Sequence, residues 1–216
     1  MKTSEQMRKV ERPGAAVTRL RLGEVEIDVL TFAQALDAIE RLVEGRQGGF
    51  VVTPNVDHVV NASRHPLLRQ AYGTASLSLV DGTPVVWASR LLGCALPEKI
   101  SGSDLVLPLM ARAAERQWRV FLTGARPGIA ELAAEKLRLL GANIVGTDCP
   151  NLTLGPDGVL GGEEAATRAR LANPDLVLAA FGSPKQEIWL SQNQHLLRPA
   201  AGLAVGAGLD FIAGSL

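Results

Sequence analysis

The sequence predicts an α/β fold, a mostly parallel sheet with helices on both faces. Three observations carry that expectation. Short runs rich in Val, Leu, Ile, Phe and Ala alternate with segments of helical periodicity, the pattern of strands joined by helical crossovers. Most of these runs end in a cluster of glycine and polar residues, as strands do where a ligand binds at their carboxyl ends. The 216 residues are 47% hydrophobic and 20% charged, which suits one globular domain with a substantial core.

Taken in order, residues 1–15 are polar and charged, lack the apolar stretch of a signal peptide, and are expected to be a mobile tail ahead of one domain spanning 16–216. Residues 19–30 alternate apolar and polar side chains, as a half-buried strand or hairpin does. Thr31-Phe-Ala-Gln34 is a capping box, and Ala33, Leu36, Ile39, Leu42 and Val43 form the apolar stripe of the helix it opens. Residues 50–52 are a buried strand ending at Thr53-Pro-Asn55. A helical pattern over 57–72 is expected to break or kink at Pro66, which lacks an N–H and clashes with the preceding turn. A strand over 77–80 ends at Asp81-Gly82.

Helix signals then cover 84–92 and 103–117, separated by 93–102. Residues 118–122 are a strand closed by Thr123-Gly124, 127–140 a helix, and 142–145 a strand. A glycine- and proline-bearing loop over 151–162 leads to a helix over 163–172. Residues 175–181 form the most hydrophobic strand, followed by Gly182-Ser183 and a helix over 184–194. The last strand, 202–205, runs into Gly206-Ala-Gly-Leu-Asp210. This order of elements is Rossmann-like.

Composition excludes several function classes. Twenty-two basic residues balance 22 acidic ones, so the basic excess of a general nucleic-acid binder is missing. No stretch approaches the roughly 18 uninterrupted apolar residues of a membrane span. Cys94 and Cys149 form no C-x-x-C pair, and reduced structural thiols are expected. His58, His65 and His195 have no metal-ligand spacing. No Walker motif, no G-x-G-x-x-G and no G-x-S-x-G elbow occurs. Trp87, Trp118 and Trp189 are expected in the core or at an interface between copies of the chain.

The polar strand ends are the candidate site, and each has a bland reading beside the functional one. Asp81-Gly82 is also a common turn dipeptide. Ser183-Pro-Lys-Gln186 reads as an N-cap, a first-turn proline and a capping-box glutamine. Such a helix start also offers free N–H groups to an anion, which makes Ser183 and Lys185 candidates for binding phosphate. Gly124-Ala-Arg-Pro-Gly128 is a second glycine-rich turn with the same capacity, led by Gly124.

Five strings occur in one order: Thr53-Pro-Asn-Val-Asp-His58, Val80-Asp-Gly-Thr-Pro84, Gly102-Ser-Asp104, Phe181-Gly-Ser-Pro-Lys-Gln-Glu187 and Gly206-Ala-Gly-Leu-Asp-Phe-Ile-Ala-Gly214. Together they resemble the WecG/TagA/CpsF family of bacterial glycosyltransferases over residues 20–214. The resemblance implies a hexosyltransferase that moves N-acetylmannosamine, its uronic acid or glucose. The donor would be a UDP-sugar and the acceptor a polyprenyl-diphosphate-linked saccharide. Such an enzyme would work at the cytoplasmic face of the membrane in cell-surface polysaccharide synthesis. Asp81 matches the catalytic base of the family. Thr53, Asn55 and Gln186 match residues around the sugars, and Asp210 matches a nucleoside contact. Lys99 stands where the family's E-R-V-x-G-x-D-L string has arginine, keeping the charge without the bidentate fork. No D-x-D string occurs, so an inverting reaction without metal or other cofactor is expected.

The family continues beyond the point matching Leu216 into a basic, aromatic segment that completes the site and docks on the membrane. Either the protein lacks that segment or, as is expected, the chain is truncated, in which case it should bind nucleotide weakly and transfer sugar poorly. Two other readings stay open on the residues alone: a non-catalytic nucleotide-binding or interaction module, and a Rossmann-type oxidoreductase. The latter is weakened by the absent dinucleotide fingerprint. A homo-oligomer is open as well.

Overall fold

The structure, a computed structural model, describes residues 7–12, 15–91 and 93–215. It begins with an antiparallel sheet of β1 (Met7–Arg12), β2 (Ala15–Leu22) and β3 (Val25–Asp28). Residues 7–12, expected as part of a mobile tail, are thus a strand paired with β2. Residues 1–6, 13 and 14 of that expected tail lie outside the described residues.

Helix α1 (Phe32–Glu44) opens with the expected capping box, in which Thr31 Oγ1 accepts from the Gln34 N–H and Gln34 Oε1 accepts from the Thr31 N–H. There follow β4 (Gly49–Val52), α2 (Val56–Arg64), α3 (Pro66–Thr74), β5 (Leu77–Ser78), α4 (Thr83–Leu91), α5 (Gly102–Arg116), β6 (Arg119–Gly124), α6 (Ile129–Leu139) and β7 (Asn143–Asp148). The helical pattern over 57–72 breaks at His65, with Pro66 starting the second helix. Residues 151–162, expected as a loop, hold a small hairpin, β8 (Thr153–Gly155) and β9 (Gly158–Leu160). Its stability is not local: the Gln192 side chain accepts from the Val159 N–H and donates to the Asp157 carbonyl. The chain ends its described course with α7 (Gly162–Leu171), β10 (Leu176–Ala180), α8 (Lys185–Leu197), β11 (Ala201–Ala204) and α9 (Gly208–Ala213).

Six strands pair in parallel in the order β5-β4-β11-β10-β6-β7. Side chains alternate across the sheet. Leu176, Leu178 and Ala180 of β10 face a core with α1, α5, α6 and α9, while Val177 and Ala179 face α2, α3, α4, α7, α8 and the β2–β3 hairpin. Every residue of β10 is buried, which explains why it reads as a continuous apolar run. The hairpin is tied to the sheet by a buried pair. Arg19 grips Asp28 through Nε at 2.7 Å and Nη2 at 3.2 Å, and Asp28 Oδ2 accepts the Ser78 N–H of β5 at 2.8 Å. Burial raises the Asp28 pKa, and Arg19 opposes it. No helix of the described residues is long and apolar enough to cross a membrane.

At the amino end of the strands Asp175 gathers the sheet. It accepts from the Arg119 N–H and Nε, from Arg119 Nη2, and from Arg46 Nη1 at 2.6 Å. Burial pushes its pKa up, but the Arg119 and Arg46 hydrogen bonds outweigh it and hold the carboxyl at about 2. Below the ordinary aspartate value of 3.8 the unfolded chain takes up this proton first. The contribution is therefore full above about pH 5 and is lost as pH falls toward 2. Asp175→Asn is expected to lower stability at neutral pH by about 1–2 kcal/mol, allowing for the half-exposed Arg46. It should also flatten the decline of Tm between pH 5 and 2, measured by melts across that range.

Candidate active site

The chain leaves β6 for α6 on one face of the sheet and leaves the neighbouring strand β10 for α8 on the other. Adjacent strands with such opposed exits open a crevice at their carboxyl ends. A cleft of about 750 Å³ lies there, lined by Ala125, Arg126, Cys149, Asn151, Phe181, Gly182, Lys185, Gly206, Asp210 and Ser215 among others. That volume suits a small organic ligand. Gly124 lies beneath the cleft. At its φ of +98° a side chain is strained, and a Cβ would come within 2.7 Å of the Ala180 backbone, so glycine lets the end of β6 lie against β10.

The charges in this cleft are few. Lys185, in the first turn of α8, reaches the Leu152 carbonyl at 3.5 Å. Asp210, in the first turn of α9, accepts from Arg126 Nη2 at 3.4 Å and from Ser215 Oγ at 3.3 Å. Burial raises the Cys149 pKa, with Glu131 and Asp148 adding to it, so this thiol stays protonated at neutral pH.

Farther along the rim lies a second polar group. Asp81 follows β5, half-buried, with its N–H donated to the Pro54 carbonyl. Burial raises its pKa, and Asp104 adds to that, while Lys99, His58 and the Gly82 N–H pull the other way. Lys99 Nζ pairs with Asp104 at 2.8 Å, and the hydrogen bond from Lys99 holds the Asp104 pKa low. Asn55 caps α2, its Oδ1 accepting the His58 N–H at 3.0 Å. Thr53 is buried at the end of β4. Ser101 caps α5 by accepting the Asp104 N–H. A Cβ on Gly102 would lie 2.5 Å from the Ala204 carbonyl oxygen and 3.2 Å from Thr53 Oγ1, so α5 starts pressed against the ends of β11 and β4.

Gln186 reaches the wall of the cleft at Gly206. It is buried rather than closing a capping box: α8 has no side-chain cap, and Ser183 is exposed ahead of it. The carboxamide is drawn inward instead, Oε1 accepting the Gly206 N–H at 3.1 Å and Nε2 donating to Glu187 Oε1 at 2.9 Å. Glu187 is fully buried, and its Oε2 has no partner among the described residues. Tyr72 shares a hydrogen bond with His58 Nδ1 at 3.0 Å. Its phenol pKa is raised by burial and by the Glu187 charge.

The structure thus places Lys185 and Asp210 in the cleft, with Ser183 at its edge in the chain. It places Asp81, Lys99, Asn55 and Thr53 along the neighbouring rim, and Gln186 against Gly206 of the cleft wall. Sequence reasoning missed Arg126, Asn151 and Ser215 as lining residues. Arg126 sits inside the glycine-rich turn already singled out. Asn151 and Ser215 lie in no recognisable string and come to the cleft only through the fold.

Comparison with known proteins gives one consistent result. The family described as Glycosyl transferase WecG/TagA/CpsF family matches residues 20–216. A protein of Bacillus spizizenii named N-acetylglucosaminyldiphosphoundecaprenol N-acetyl-beta-D-mannosaminyltransferase is 27% identical over 199 residues, covering 91% of this chain and 74% of that one. A Staphylococcus aureus protein of the same name is 28% identical over 196 residues, covering 88% and 74%.

Gly102→Ala forces the first turn of α5 off β11, an overpacking that costs about 1–3 kcal/mol. Its Tm should fall accordingly, and the melt is the check; an unchanged Tm would mean that α5 and β11 are not pressed together.

Proposed function

The chain belongs to the WecG/TagA/CpsF family of glycosyltransferases, and from that premise we propose that it transfers a sugar from a UDP-sugar to a polyprenyl-diphosphate-linked saccharide, with Asp81 as the base. The relatives' names favour N-acetylmannosamine as the sugar moved and N-acetylglucosaminyl-diphosphoundecaprenol as the acceptor. They also favour action at a membrane surface, to which the chain would bind peripherally, with residues 16–216 forming one glycosyltransferase domain.

The observation that carries this reading is the Asp81 carboxylate. It stands at a strand end, half-buried, with Lys99 and His58 near enough to favour its charged form. In the proposed reaction the acceptor hydroxyl gives its proton to Asp81 as its oxygen bonds to the anomeric carbon. The bond from that carbon to the donor phosphate oxygen breaks, and UDP leaves with the electron pair. The base and the leaving group lie on opposite sides of the carbon, which inverts it. Lys185 and the backbone N–H groups at the start of α8 meet the charge on the departing diphosphate. Lys99 holds Asp104 and shields Asp81 from it. The sequence contains no D-x-D string, which supports transfer without a metal. Thr53 and Asn55 line the sugar side, and Asp210 takes the nucleoside.

Asp81→Asn is expected to reduce transfer to a diphosphate-linked N-acetylglucosamine lipid analogue by about 10²–10⁴-fold while UDP binding persists. Undiminished turnover would remove Asp81 from the role. Because the carboxylate must be ionised, the acid limb of kcat/KM should lie above the ordinary aspartate range, in the direction of its raised pKa. Lys99→Ala removes a charge that lowers that pKa, so the limb should move further up. EDTA should leave turnover intact; complete loss, restored by a divalent cation, would overturn the metal-free reading.

A further inference from the structure

Two cationic side chains line the cleft among the described residues, Lys185 and Arg126. Lys185 is partly buried and reaches a backbone carbonyl. Arg126 is different: its side chain is 66% exposed, and its partner is Asp210, at 3.4 Å. We propose that Arg126 binds the diphosphate of the donor, and that its pairing with Asp210 is a resting position it leaves when the nucleotide enters. The proposal rests on reading the cleft as the UDP-sugar site.

The backbone around Arg126 is fixed while the side chain is not. The Ala125 N–H is donated to the Ala180 carbonyl at 2.8 Å, and the Arg126 carbonyl accepts the Ile129 N–H at 3.0 Å. The guanidinium therefore swings from an anchored Cα at the mouth of the crevice. Its pairing with Asp210 is long and exposed, the kind of ion pair that contributes little and is readily exchanged. A phosphate offers more, because the planar fork matches two of its oxygens at once.

The exchange also frees Asp210. That carboxylate keeps the Ser215 hydroxyl on Oδ1 and gains room for the hydroxyls of a nucleoside. A nucleoside diphosphate thus satisfies both halves of the broken pair, its phosphates taking Arg126 and its nucleoside taking Asp210. A bare nucleoside satisfies one half and leaves the guanidinium without its partner. The cleft should favour UDP over uridine for this reason, beyond the attraction of Lys185.

Isothermal titration of wild type, Arg126→Ala and Arg126→Lys with UDP and with uridine tests the proposal. Arg126→Ala should weaken UDP by roughly 10–100-fold, the range for losing hydrogen bonds to a charged group. Uridine should bind this variant as well as wild type or a little better, since its competitor for Asp210 is gone. Arg126→Lys should fall between for UDP. Equal losses for UDP and uridine would overturn the proposal by showing that Arg126 shapes the cleft. Unchanged UDP affinity would overturn it by placing the diphosphate elsewhere. Failure of wild type to bind UDP at all would sink the reading of the cleft itself, a separate and recognisable outcome.

Discussion

Everything at the candidate site follows from the way the chain departs from two adjacent strands. β6 and β10 lie side by side in register, Val120 to Gly124 against Leu176 to Ala180, yet their helices leave toward opposite faces. Two helices leaving the same face would cover the strand ends. Opposed exits leave them open, and the turns that follow become walls. The register with β11 brings Gly206 and α9 to the same height, so Arg126, Lys185 and Asp210 meet from the ends of three separate strands.

Beneath this opening the structure tolerates a costly arrangement. A buried carboxylate is unfavourable unless hydrogen-bonded, and Glu187 receives one bond, from Gln186. Gln186 in turn holds the Gly206 N–H. Tyr72 feels the Glu187 charge and binds His58, whose own charge bears on Asp81. Hydrogen bonds join Gln186 to Glu187 and the Gly206 N–H on the nucleotide side and Tyr72 to His58 toward Asp81, and between these pairs the influence is that of charge. Gln186, held by Glu187 and by the Gly206 N–H, is fixed in its rotamer, and the turn at Gly206 shares that rigidity.

Much of this was legible in the sequence because the decisive signals are local or periodic. The capping box at Thr31, the break at Pro66 and the apolar run of β10 each depend on neighbours within a few residues. The polar and glycine clusters marked the rim for the same reason, since strand ends carry them. What was not legible depends on distant partners. The hairpin over 153–160 is held by Gln192, and the strand over 7–12 by residues of β2. Ser183 and Gln186 illustrate the limit most clearly. Their spacing fits a capping box, but Glu187 and the Gly206 N–H compete for the glutamine and win. Local pattern gives the options, and tertiary hydrogen bonds choose among them.

The turn at the end of β6 joins two kinds of residue that evolution meets on different terms. Gly124 has neither the room nor the backbone angle for a side chain, so a lineage cannot change it without rebuilding the strand pair. Arg126, two residues on, is in solvent and takes no part in either core, as is Asn151 across the cleft. At such a tip a side chain can change without disturbing either core, so its loss should be felt by the bound ligand and not by the fold. The rigid glycine and the exposed arginine thus divide the work of one short turn, the first holding two strands together and the second meeting whatever enters from solvent.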